Sequence, residues 1–197
     1  MGAAVSRSAG YDPNRHLLRT PVDTEAPRRA ARLRELGIGD APVPAFDTYA
    51  HEVARALRAP YGVVNLLDED RQYLAGLYTP PRGRVPGAPR ARGGDLRVIA
   101  RDHGYCPHVV VRRKALVLED VRDYPRFAGN PVVDESGIRA YLGAPLIDRT
   151  GLALGTVCVV DLEPRRWGRE GLETIKKAAT DLVARIHRRE DGLSDTF

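Results

Sequence analysis

A chain of 197 residues, 43% of them hydrophobic, is long enough for one buried core with extensions and too short for two full domains. No stretch approaches the roughly 18–20 apolar residues of a membrane span, and Met1–Gly10 lacks the apolar run of a secretory leader, so a cytoplasmic protein without membrane contact is expected. Two cysteines, Cys106 and Cys158, are too few for a disulfide framework or a paired-cysteine zinc site, and the net charge of +5 is spread along the chain without a basic, aromatic-interleaved stripe, so nucleic-acid binding is not expected.

In chain order, Met1–Thr24 mixes Ser, Arg, Pro and Asp without period and predicts a flexible N-terminal arm over residues 1–26. Pro27–Gly37 reads as a short helix, with proline in its first turn, Gly37 at a left-handed end, and Ala30, Leu33 and Leu36 on one side. After the Pro-rich Asp40–Pro44, the residues Phe46, Tyr49, Ala50, Val53, Ala54 and Leu57 recur at helical spacing until Pro60 ends the helix near Arg58. Tyr61–Leu67 is a strand apolar on both faces, Asp68–Asp70 a turn, and Gln72–Tyr78 its return, which makes a β-hairpin. The prolines and glycines between Thr79 and Leu96 sustain neither ladder nor helix and predict a long exposed loop over residues 79–97.

Ala115–Val121 is a further strand candidate, and Tyr124–Asn130 a short helix or irregular crossover. Ile138–Asp148 and Ala153–Asp161 are strands joined by the turn Arg149–Gly151, with Pro145 predicted at an edge or bulge because it lacks a ladder donor. Leu172, Ile175, Ala179, Leu182, Val183 and Ile186 stripe a last helix running from about Arg169 to Arg188, and a polar tail occupies residues 190–197. Strand pairs bracketed by amphipathic helices predict an α+β fold with one antiparallel sheet, a single domain over residues 27–189.

Several ordered stretches carry a resemblance: Leu33–Ile38 before the second helix, Val63-Val-Asn-Leu-Leu-Asp-Glu-Asp-Arg-Gln72, Gly104-Tyr-Cys-Pro-His108, Leu118-Glu-Asp-Val121, Tyr124-Pro-Arg-Phe-Ala-Gly-Asn-Pro131, Ile138-Arg-Ala-Tyr-Leu-Gly-Ala-Pro-Leu146 and Leu154-Gly-Thr-Val-Cys-Val-Val-Asp161. Each is weak alone, but in this order and spacing the chain resembles the GAF domain, a regulatory small-molecule-binding fold related in architecture to the PAS domain. The resemblance implies a GAF/PAS-like antiparallel sheet of about five to six strands. It also implies terminal helices on one face and, on the other, a pocket covered by the middle segment and lined from about Cys106 to Tyr141.

The ligand-binding candidates are Cys106, His108, Asp120, Tyr124, Phe127, Asn130 and Tyr141, which supply the polar and aromatic groups expected around a ligand. Cys106 and His108 form a nucleophile and base pair if the segment is extended, since positions two apart share a face on a strand but point about 200° apart on a helix. Each candidate also has a structural reading, with Phe127 filling the lid, Asn130 capping a turn and Tyr141 packing on the sheet. Cys158, inside an apolar strand, reads as a small core residue that leaves Cys106 without a resolving thiol. No bilin, haem or cyclic-nucleotide pattern can be traced, so the cofactor is unknown; Pro107 stands where bilin-attaching relatives carry histidine, and the Asp-Ile-Pro motif is missing.

The expected function is a non-catalytic sensory and regulatory domain that binds a small molecule. It would signal through a separate partner protein or through a homodimer formed by the terminal helices, because no output motif follows the last helix. Two alternatives stand beside it. One is a thiol-based redox enzyme or sensor using Cys106, similar to GAF-type free methionine sulfoxide reductases, and the other is a ligand-free protein-association scaffold.

Overall fold

Strict alternation along the first long strand decides the architecture. Tyr61, Val63 and Leu67 join one core cluster while Val64 and Leu66 join another, so this strand is buried on both faces and needs a layer on each side. The computed structural model describes residues 11–12, 17–18, 20–81, 83 and 96–193 and supplies both layers.

The elements are a two-residue ladder of β1 (Tyr11–Asp12) and β2 (Leu17–Leu18), then α1 (Ala26–Glu35), α2 (Pro44–Ala56), β3 (Tyr61–Leu67), β4 (Arg71–Tyr78) and β5 (Val98–Ala100). There follow α3 (Cys106–Arg112), β6 (Leu116–Leu118), a 3-10 turn (Val121–Asp123), α4 (Pro125–Ala128), α5 (Pro131–Ser136), β7 (Ala140–Ile147), β8 (Ala153–Asp161) and α6 (Gly168–Glu190). Six strands form one sheet in the order β5-β4-β3-β8-β7-β6, every neighbouring pair antiparallel. The expected α+β architecture is therefore present.

The helical face is set by α2 and α6, whose apolar stripes bury Phe46, Tyr49 and Val53, and Ile175, Leu182 and Ile186, against Val64, Leu142 and Val159. Helix α2 lies unusually close to the sheet. A Cβ at Gly62 would stand 2.1 Å from the Ala50 carbonyl oxygen, so only glycine allows that approach. The same stripe of α6 that suggested a dimer contact is thus buried against the chain's own sheet, and its flanks carry the exposed Lys176, Lys177 and Arg185.

Arginines of α1 tie the ends of the chain to the sheet. The buried Arg29 donates from Nε to the Leu67 carbonyl at 2.8 Å and from Nη1 to the Ala153 carbonyl at 3.4 Å, and it pairs with Asp23, which Arg101 also meets. Arg32 reaches both Asp148 in the β7–β8 turn and Glu190 at the end of α6, each at 2.8 Å. Asp23 is nearly enclosed, so the final residues of the predicted N-terminal arm are fastened rather than loose. Residues 1–10, 13–16 and 19 of that arm, residues 82 and 84–95 of the predicted 79–97 loop, and residues 194–197 of the predicted tail lie outside the described residues.

Pro145 sits where its chemistry requires. It pairs with Thr156 of β8, while β6 covers only Tyr141–Gly143 on the other side, so the proline faces an open edge of β7. The strand expected over Ala115–Val121 shortens to β6 because Val121 opens the 3-10 turn, whose Arg122 amide is capped by the Asp120 carboxylate.

Candidate functional site

The second face of the sheet is covered by α3, α4 and α5. Helix α3 begins with Cys106-Pro107, proline occupying a first-turn position where its missing N–H costs nothing, and it presses Val109 and Val110 onto the sheet despite a β-branched run that favours strands. Between this layer and the sheet lies a cavity of about 50 Å³ whose floor carries Asn65, Tyr141 and Cys158 and whose cover carries His103, Tyr105 and Cys106. The volume suits one or two water-sized molecules, well below the roughly 300 Å³ at which drug-sized ligands are enclosed.

Two amides hold the cover. Gln72 donates to the carbonyls of Ala100 at 2.8 Å and His103 at 2.6 Å while accepting from Asn65 Nδ2 at 2.7 Å. Asn130 accepts from the Gly104 amide at 2.9 Å and the Val132 amide at 3.2 Å and donates to the Gly104 carbonyl at 3.0 Å. The loop just before Cys106 is therefore pinned from both sides. Three buried polar atoms are left without a hydrogen-bond partner among the described residues here: Asn65 Oδ1, its cross-strand neighbour Thr156 Oγ1, and the Tyr105 hydroxyl.

The two cysteines meet across the cavity. Cys106 Sγ stands 3.9 Å from Cys158 Sγ and 3.5 Å from the Tyr141 hydroxyl, both thiols free and buried. The expectation that Cys106 lacks a partner thiol is corrected: alternation along β8 turns Cys158 to the same side as Val160, directly under the start of α3. The Cys158 thiol favours ionisation of Cys106, burial opposes it, and the Tyr141 hydroxyl assists it, so the Cys106 thiol falls below the ordinary thiol range. Cys158 is pushed well above that range by the same contact and by burial. The two thiols titrate as one pair, whose first proton leaves more readily than its second. Gly143 makes room for this arrangement, because a Cβ there would lie 2.3 Å from the Tyr141 hydroxyl oxygen and 3.0 Å from Cys158 Cβ.

Of the seven predicted site residues, Cys106 and Tyr141 line the cavity. His108 does not face Cys106, since the helical form of α3 turns it away; its ring meets Phe127 edge-on at 5.2 Å, and burial, then the charge of Arg112, lowers its pKa to about 4. Phe127 packs on Tyr105 at 5.6 Å as lid filling, and Asn130 is the loop clamp. Asp120 is taken up by Arg139 and the 3-10 turn, with the Arg139 hydrogen bonds holding its carboxyl below the usual range, and Tyr124 is exposed. Asn65, Gln72 and Tyr105 were missed; the first two were visible as lone amides inside an otherwise apolar hairpin. Among the described residues, no three His, Cys, Asp or Glu side chains are grouped to hold a metal, and no helix is long and apolar enough to cross a membrane.

Solved structures share this fold. A free methionine-R-sulfoxide reductase from Neisseria meningitidis, solved with its substrate, aligns with a TM-score of 0.58 at 17% identity over 90% of this chain and 99% of its own. The GAF domain of a phosphoenolpyruvate-protein phosphotransferase from Coxiella burnetii aligns at 0.57 with 20% identity, over 86% and 98%. At such identities the likeness is one of fold. In sequence, the chain is 28% identical over 170 residues to a cyclic di-GMP phosphodiesterase of Pseudomonas aeruginosa, covering 85% of this chain but 27% of that protein, so it spans about a quarter of its relative's length. Residues 42–186 match the GAF domain, and the chain belongs to the GAF domain family.

Proposed function

We propose that this domain is a sensory module whose cavity between the sheet and α3 takes a small polar molecule, and that the module catalyses no turnover of it. The observation that carries the reading is the set of buried polar atoms without partners, Asn65 Oδ1 and the Tyr105 hydroxyl on the cavity and Thr156 Oγ1 beside them. An unsatisfied buried polar group costs roughly 1–3 kcal/mol, so a molecule that hydrogen-bonds to several of them stabilises the closed cover. Strand β7 offers a route outward, since Tyr141 faces the cavity while its neighbour Leu142 packs in the core shared with α6. Occupancy would then bias α6, whose exposed charged flank offers a partner protein or a second copy its surface.

The phosphodiesterase activity named for the Pseudomonas relative is not part of this reading, because an intact cyclic dinucleotide is far larger than the cavity. Native mass spectrometry of the purified chain, with the visible spectrum of the same sample, tests the proposal. A small bound species that is lost in Asn65→Leu is the expected result. A chain that is empty as purified, and whose melting temperature responds to none of a panel of small polar metabolites, would leave the protein-association scaffold as the better account.

A further inference from the structure

We infer that Cys106 and Cys158 form an oxidisable dithiol whose oxidant is hydrogen peroxide, closing a disulfide between α3 and the central strand β8. The inference deepens the sensory reading of the same cavity by naming its signal. Three observations support it. The sulfurs stand 3.9 Å apart and must approach to about 2 Å to bond. The cavity that both thiols line holds about 50 Å³, enough for a molecule the size of one or two waters. Around the sulfur of Cys106 are the Tyr141 hydroxyl at 3.5 Å and the polar side chains of Thr156 and Asn65, which can hold peroxide oxygens in place.

Peroxide is the one reagent that disulfide formation needs. The Cys106 thiolate attacks one peroxide oxygen, the O–O bond breaks, and the departing hydroxide takes up a proton to leave as water, so Cys106 becomes a sulfenic acid. The Cys158 sulfur then attacks the Cys106 sulfur, the S–S bond forms as the S–O bond breaks, and the hydroxide released takes the Cys158 proton and leaves as a second water. Two electrons have passed from the sulfur pair to the peroxide, and a small-molecule dithiol returns them by exchange.

The displacement falls on α3. Cys158 is held on both sides by ladders to β3 and β7, paired with Val63 and Gly143, whereas Cys106 opens a helix of two turns. Drawing Cys106 toward β8 moves Tyr105 with it, and Tyr105 packs edge-on against both Phe127 of α4 and Tyr141 of β7, at 5.6 and 5.2 Å. Oxidation is thereby transmitted to the lid and to the strand that contacts α6.

The test uses the full chain, reduced, freed of reductant, and exposed while folded to stoichiometric hydrogen peroxide, then acid-quenched, alkylated in denaturant and mapped without reduction. The expected result is loss of both thiols together, with a Cys106–Cys158 cross-linked peptide lighter than its parts by two hydrogens and reopened by dithiothreitol. Cys158→Ser should instead accumulate a Cys106 sulfenic acid captured by dimedone, and Cys106→Ser should leave Cys158 reduced. Two free thiols persisting at a dose that oxidises free cysteine would overturn the inference. So would cross-links found only between chains, or equal oxidation of Cys158 in Cys106→Ser. A metabolite found by native mass spectrometry alongside an unreactive thiol pair would sink this inference and leave the sensory reading standing, whereas an intramolecular cross-link in a chain that holds no metabolite would support peroxide as the signal.

Discussion

Replacing Asn130 with alanine probes the clamp that fixes the loop leading into Cys106. The side chain accepts from the amides of Gly104 and Val132 and donates to the Gly104 carbonyl, at 2.9, 3.2 and 3.0 Å. Loss of the cap at α5 costs about 1 kcal/mol. The two bonds to Gly104 are partly exposed, so water replaces them in part and they add about 1 kcal/mol together. The total of about 2 kcal/mol corresponds to a urea midpoint lowered by about 1 M at an unchanged slope. Asn130→Asp keeps an acceptor for both amides and loses only the donor, so above about pH 5 it should recover at least half of that loss. Because Gly104 lies two residues before Cys106, the alanine variant should also let a thiol reagent reach Cys106 faster in the folded state. Equal destabilisation by alanine and aspartate, or an alanine midpoint indistinguishable from the parent chain, would refute the clamp.

His108 makes a pH-dependent contribution. Its folded pKa of about 4 lies below the ordinary 6.5, so the unfolded chain takes up the proton first; the contribution is complete above pH 6.5 and is lost as the pH falls toward 4. Urea midpoints across that window should drop by an amount corresponding to about 2–3 kcal/mol, and His108→Phe should flatten the slope. Gly62→Ala forces α2 away from the sheet, since its Cβ meets the Ala50 carbonyl oxygen, and should cost about 1–3 kcal/mol by denaturant titration. Gly143→Ala displaces the Tyr141 hydroxyl from Cys106 and should slow peroxide oxidation of the thiol pair; an unchanged rate in a folded variant would remove Tyr141 from the account.

The terminal helices and both hairpins were legible because each repeats a period long enough to be counted, as in Phe46, Tyr49, Ala50 and Val53 or in Leu172 through Ile186. Their ends were placed within two or three residues, which is the range over which helices fray. The middle of the chain gave no such count. Strands β5 and β6 have three residues each, and the Val109-Val-Val111 run inside α3 argues locally for a strand that tertiary packing overrides. The thiol pair was hidden for another reason: its members are 52 residues apart, and only the register of β8 beneath α3 joins them. Asp120 and Tyr124 drew notice as polar and aromatic groups near the lid, yet one is occupied by Arg139 and the other faces outward.

Arg29 and Arg32 carry a practical lesson about where this domain can be cut. The family match begins at residue 42 and stops at residue 186, so a fragment trimmed to those limits would lose both arginines together with Glu190. The carbonyls of Leu67 and Ala153 would lose their buried donor, the Asp148 carboxylate would lose its cation, and the core beneath the helical layer would lose Leu33 and Ile38. The smallest fragment that keeps these groups partnered starts ahead of Asp23 and runs through Asp191, whose carboxylate Arg149 holds at 2.8 Å.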